Sequence, residues 1–175
     1  MKLNLLKFAA LLTLSIGLAS CHTVDDQRLP NMPVNISIAD AGMWNTFGVS
    51  GFGSNRNFIL LTTGEHIPAS FPFNSRSATG FGGVLLIEGL DPFTLMGGTP
   101  LAYDLACPVE RQADIRVFVE PETYYAVCPV CGSVYDVTLG MGAPVAGPAA
   151  TGKYKYGLKN YSCLPSGSGG YYITN

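Results

Sequence analysis

The stretch Cys128-Pro-Val-Cys-Gly-Ser-Val-Tyr-Asp-Val137 decides how the rest of the chain is read. Two cysteines two residues apart, with proline after the first and glycine after the second, describe a tight turn. Val134-Tyr-Asp-Val137 then continues in strand-favouring residues. A Cys-x-x-Cys pair on a turn is a metal knuckle, part of a disulfide framework or a redox motif. The redox option needs a helix N-terminus and a βαβ setting to lower a thiol pKa, and a strand follows here instead. Metal and disulfide are left, and the choice depends on where the other cysteines lie.

Upstream, Asp114-Ile-Arg-Val-Phe-Val119 alternates, Glu120-Pro-Glu-Thr123 has turn composition and Tyr124-Tyr-Ala-Val127 returns. This predicts a hairpin whose arms end beside Cys107 and Cys128. It brings Cys107-Pro-Val-Glu110 next to Cys128-Pro-Val-Cys131. In zinc ribbons two such turns surround a tetrahedral ion, and Zn²⁺ accepts thiolate and carboxylate. Cys107, Glu110, Cys128 and Cys131 are therefore the candidate metal ligands of a closed, structural site. The alternative for the same sulfurs is oxidation. Cys107, Cys128, Cys131 and Cys163 permit one bridge or two, with Cys163 either a bridge partner or a core thiol.

The N-terminus bears on that choice. Lys2 and Lys7 flank an apolar run that continues to Gly17, and Leu18-Ala-Ser-Cys21 sets small residues before a cysteine. This is the pattern of a secretory signal, too short for a spanning helix. Leu-Ala-Ser-Cys resembles a bacterial lipobox, which implies that Cys21 is lipidated and becomes the mature N-terminus. Such an anchor carries more than the single acyl chain that binds only marginally. His22 stands after the lipidated cysteine where aspartate would redirect the protein, which points to the outer membrane. Thiols outside the cytoplasm tend to oxidise.

Lys and Arg number 10 against 12 Asp and Glu, a formal net charge of −2 that becomes more negative once the leader lysines leave. No basic patch suggests nucleic acid. Charged residues make up only 13% while glycine reaches 21 and proline 12, so short strands and many turns are expected. Strands are expected over 30–38, 58–62, 81–88 and 101–106, with no amphipathic helix past residue 21. Ser166–Gly170 reads as a flexible link to a short edge strand, 171–175. The segment 41–80, with Trp44, reads as a partner-binding surface or as filling for a β core. Hydrolytic machinery is missing: there is no Gly-x-Ser-x-Gly and no histidine near the loops. Asp104, Asp114 and Asp136 read as turn and loop carboxylates, and no catalytic residue is assigned.

Together, Ala102-Tyr-Asp-Leu-Ala-Cys-Pro108, Cys128-Pro-Val-Cys-Gly-Ser-Val-Tyr-Asp136, Gly147-Pro-Ala149 and Leu158-Lys-Asn-Tyr161 resemble the Rieske iron–sulfur domain family. They correspond to its first cluster loop, second cluster loop, proline loop and closing strand, over about residues 81–163. The resemblance implies an all-β fold of stacked antiparallel sheets with a small zinc-ribbon-like two-loop subdomain over about 104–150. The domain would span 30–175, after a leader, 1–20, and a tether, 21–29. The resemblance also implies that Ser133 and Tyr135 hydrogen-bond the sulfurs, with Pro148 flanking them.

The ligand set departs from that family. A Rieske centre holds one iron by two cysteines and the other by two histidines, in Cys-x-His and Cys-x-x-His loops. Here the histidine positions hold Val109 and Cys131, and the only histidines are His22 in the tether and His66 far upstream. The expectation is a cell-envelope lipoprotein with a structural or binding role and an envelope protein partner. Its cluster site is replaced by a structural metal, zinc, or by a disulfide. A 2Fe-2S electron carrier with non-standard ligands, docking a redox partner, is the alternative.

Overall fold

Val84-Leu-Leu-Ile87 is apolar at every position, a pattern that a half-exposed strand does not give. A strand reads this way when both of its faces are buried, and that is its situation here. The computed structural model describes residues 24–61, 63–91, 93–94, 97–139, 141–152 and 155–175. The leader and Cys21 lie outside the described residues.

The run belongs to β6 (Val84–Leu90), inside an eight-stranded antiparallel sheet. The other members are β2 (Val34–Asp40), β3 (Asn55–Leu60), β4 (His66–Ile67), β5 (Ala78–Thr79), β7 (Gly97–Asp104), β13 (Asn160–Pro165) and β14 (Gly169–Thr174). Their order is β4-β3-β6-β7-β13-β14-β2-β5. The sheet curls until β5 returns beside β3, where the Leu60 N–H donates to Thr79 Oγ1 at 3.2 Å. The curl encloses one core, with Ile36, Ile38, Phe58, Val84, Leu86 and Ile173 pointing inward.

The outer face of the same strands builds a second core. Leu85, Ile87, Tyr103 and Leu105 pack against Val117, Ala126, Tyr135, Val137 and Leu158. Several of these come from a smaller antiparallel sheet of β8 (Phe118–Val119), β9 (Tyr125–Val127), β10 (Val134–Asp136) and β11 (Ala143–Ala146), in the order β11-β10-β9-β8. The expected hairpin is present, with Phe118 opposite Val127 and Val119 opposite Ala126. The chain is all-β, its sheets stacked through a shared layer, and each large buried side chain contributes about 1.5–3 kcal/mol.

Four sequence expectations change in the structure. A short helix, α1 (Ala41–Phe47), follows β2, started by Asp40, whose Oδ1 accepts from the Met43 N–H at 2.8 Å. Seven residues are too few to show a helical period. Trp44 on this helix is half-buried and meets the Tyr171 ring at 4.6 Å. The terminal strand is interior, between β13 and β2. Ser166-Gly-Ser-Gly-Gly170 is a built turn in which Ser166 Oγ accepts from the Ser168 and Gly170 N–H groups. Gly170 is required there, since a Cβ would lie 1.9 Å from the Ile38 carbonyl oxygen.

The third change concerns the tether. β1 (Val24–Asp25) pairs in parallel with β12 (Lys155–Tyr156), and the Gly157 N–H donates to the Asp25 carbonyl at 3.0 Å. The Arg28 guanidinium lies 3.7 Å over the Tyr156 ring and Leu29 is buried. From Val24 onward the chain is part of the domain.

The fourth is Asp104. It is wholly buried, and its carboxylate accepts from Phe81 N–H (2.9 Å), Gly82 N–H (3.0 Å), Ala106 N–H (2.8 Å) and the Tyr161 hydroxyl (2.5 Å). It fastens the end of β7 to the segment before β6 and to β13. Gly80 makes room for this, because a Cβ there would sit 2.3 Å from the Tyr161 hydroxyl. A hydrogen bond to a charged group is worth about 1.5–3 kcal/mol. Tyr161→Phe is accordingly expected to lower the unfolding free energy by about that amount in urea denaturation, and Asp104→Ala, which orphans the buried Gly82 and Ala106 N–H groups and the part-buried one of Phe81, by more.

Candidate metal centre

The two cysteine loops are built alike. In the first, Cys107-Pro-Val-Glu-Arg111, the Arg111 N–H closes on the Cys107 carbonyl at 2.9 Å with Arg111 at φ 57°. In the second, Cys128-Pro-Val-Cys-Gly132, the Gly132 N–H closes on the Cys128 carbonyl at 3.0 Å with Gly132 at φ 68°. Each loop is a single turn ended by a left-handed residue, a position that glycine fills at no cost and arginine fills against strain. Within this repeat Glu110 occupies the place of Cys131.

The hairpin and the shared core set the two turns against each other. The Cys107 N–H donates to the Ile115 carbonyl at 3.0 Å, and the Cys128 N–H to the Ser133 carbonyl at 2.9 Å. The sulfurs of Cys107, Cys128 and Cys131 lie within 4.8 Å of one another, and those of Cys107 and Cys131 are 3.7 Å apart. Cys107 and Cys128 are buried, while Cys131 is half-buried at the surface. The half-buried Glu110 carboxylate does not join the three converging atoms.

Ser133 and Tyr135 address the sulfurs. The Tyr135 hydroxyl is 3.5 Å from Cys107 Sγ. Burial first, and then its contact with Cys107, pushes the phenol well above its ordinary pKa, so it remains a neutral donor. Ser133 Oγ lies 3.1 Å from Cys131 Sγ and accepts the Ala149 N–H at 3.0 Å. As a free thiol, Cys131 Sγ is the donor in that pair. The contact with Ala149 fastens the Gly147-Pro-Ala149 loop over the second cysteine turn, with Pro148 exposed beside it.

Burial pushes the Cys107 thiol up to about 12, against hydrogen bonds from Tyr135 and from the backbone of Glu110 and Val109. Cys163 is on β13, packed against the barrel core, and burial pushes it to about 12 as well. It is not one of the converging sulfurs. All four described cysteines are free thiols. His66 is in β4 with its ring against Phe73.

The donor set does not fit the cluster that the sequence resemblance implies. Val109 has no ligand atom, and Cys131 offers sulfur where imidazole is required. Three sulfurs directed at one point suit a single thiophilic ion. Comparison with known proteins returns no matching family and no matching curated relative. Spacing found the three sulfurs, and the family resemblance pointed to the two hydroxyls. Both missed the Ala149 amide, whose only signal was the Gly-Pro-Ala loop, and the Val109 and Glu110 amides facing Cys107.

Two outcomes follow from this geometry. In metal-free protein, alkylation followed by peptide mapping is expected to modify the half-buried Cys131 before Cys107 and Cys128. Ser133→Ala leaves the Ala149 N–H buried and unpartnered, at a cost of about 1–3 kcal/mol. The loss is expected to appear as faster hydrogen exchange across 147–150.

Proposed function

We propose that the chain is a lipid-anchored protein of the bacterial cell envelope with a Rieske-like domain whose two loops hold one structural metal ion, zinc, in place of an iron–sulfur cluster. The observation that carries this is the convergence of Cys107, Cys128 and Cys131, with 3.7 Å between the first and last sulfurs. Zinc–sulfur bonds of about 2.3 Å at tetrahedral angles set ligand sulfurs about 3.8 Å apart. A disulfide needs about 2.05 Å.

Glu110 completes the tetrahedron in this reading. The first loop repeats the second, and Glu110 stands where Cys131 does. The role of the ion is structural. It ties the turn after β7 to the turn before β10 and holds three thiols as thiolates in a compartment that oxidises them. The domain then serves the envelope by binding or scaffolding. Leu18-Ala-Ser-Cys21 supports the lipid anchor and His22 an outer-membrane destination.

Elemental analysis of residues 22–175, purified without a metal-affinity tag, tests the reading together with thiol titration and a visible spectrum. About one zinc per chain with Cys107, Cys128 and Cys131 reduced is expected. Glu110→Ala is expected to weaken binding and Cys131→Ser to abolish it. Two irons with acid-labile sulfide would make the protein an electron carrier of unusual ligation, an outcome to which the Ser133 and Tyr135 contacts lend weight. Oxidised thiols without metal would leave only the scaffold.

A further inference from the structure

We propose that the surface carrying Val24, Leu139 and Met141 rests on the lipid bilayer and fixes the orientation of the domain there. The inference builds on the reading of Cys21 as the acylated residue. Three Cα steps separate Cys21 from Val24, so the anchor lies within about 11 Å of β1. β1 itself has no slack. Val24 is paired with Lys155, its side chain packs against Gly157, where a Cβ would meet Val24 Cγ1 at 2.8 Å, and Arg28 is clamped over Tyr156. A short leash on a fixed strand brings one face of the domain to the membrane.

That face is apolar where it needs to be. Gly157 also abuts the Gly142 carbonyl oxygen, 3.3 Å from a Cβ built on it, and the Leu158 N–H donates to the same oxygen at 2.9 Å. The residues flanking Gly142 therefore lie beside Val24. Val24 is 40% and Met141 49% exposed there, and Leu139, two residues before Met141, is 41% exposed. The backbone of both Leu139 and Met141 is hydrogen-bonded. Asp136 Oδ1 accepts from the N–H groups of Thr138 and Leu139, and Asn160 Nδ2 donates to the Met141 carbonyl. Asp25 and Asp26 stand next to Val24, each with a carboxylate oxygen engaged by Gln27. Asp25 and Asp26 stand against Lys155, paired with Val24, and Arg28, over Tyr156, so the described charges at this edge balance and the contact is apolar insertion into zwitterionic lipid rather than attraction to anionic headgroups. The anchor supplies the local concentration that lets three side chains suffice.

The opposite end of β13 then stands off the membrane. Trp44 meets the tilted ring of Tyr171, which pairs with Pro165, five residues along β13 from Asn160, or roughly 17 Å at strand rise.

The test uses the full chain, expressed in cells that acylate lipoproteins and reconstituted into phosphatidylcholine vesicles with brominated acyl chains. Intact mass reports whether Cys21 carries lipid. Leu139→Trp and Met141→Trp, each in a Trp44→Phe background, report on the proposed face, and the unaltered protein reports on Trp44; far-UV dichroism verifies folding. Loss of most emission from both introduced tryptophans, with Trp44 emission kept, is the expected result. Acylated protein in which neither introduced tryptophan is quenched, or in which Trp44 is quenched as strongly, overturns the inference and leaves the anchor intact. A chain without lipid on Cys21 overturns the anchor and the inference together.

Discussion

The buried carboxylate of Asp104 is the contact on which the rest of this fold depends. It gathers donors from the segment before β6, from the turn after β7 and from β13. An unpaired carboxylate in such a place would cost many times the value of one hydrogen bond, so four donors at once fix the backbone around it. Three residues later the chain enters the first cysteine loop. The position of Cys107 is thus set by the barrel, and the two-loop subdomain is built onto a rigid end rather than suspended from flexible links.

From that end the site is assembled by repetition. Each loop opens Cys-Pro-Val, turns once, closes on its own cysteine carbonyl and ends in a left-handed residue. The second core, formed by the outer face of β6 and β7 with β9 and β10, presses the turns together. Ser133 serves two purposes there, joining the proline loop to the second turn and facing a sulfur. Val109 offers no ligand atom and Cys131 adds a third sulfur, while Tyr135 and Ser133 place hydroxyls beside Cys107 and Cys131.

The legible parts of the sequence were the local ones. Ligand spacing lives in a single turn, strand alternation in a few residues and hairpin pairing in a short loop, so Cys107, Cys128 and Cys131 could be placed together without coordinates. What escaped depends on distant partners. Asp104 looks like any loop carboxylate until Tyr161, 57 positions away, is brought to it. The terminal strand looked like an edge because its neighbour β2 lies at the other end of the chain. Ser166–Gly170 has linker composition, yet its glycines answer to the close passage of Ile38. Helix α1 is too short to show a period, and the docking of Val24–Arg28 depends on an aromatic residue more than a hundred positions on.

The central claim is that three thiolates meet on one mononuclear ion. X-ray absorption at the zinc edge, recorded on mature protein as isolated, tests it most directly. The account predicts three sulfur neighbours at about 2.3 Å and one oxygen at about 2.0–2.2 Å, with no second metal in the next shell. A shell with fewer than three sulfurs, or an iron edge with a neighbouring iron, would contradict it.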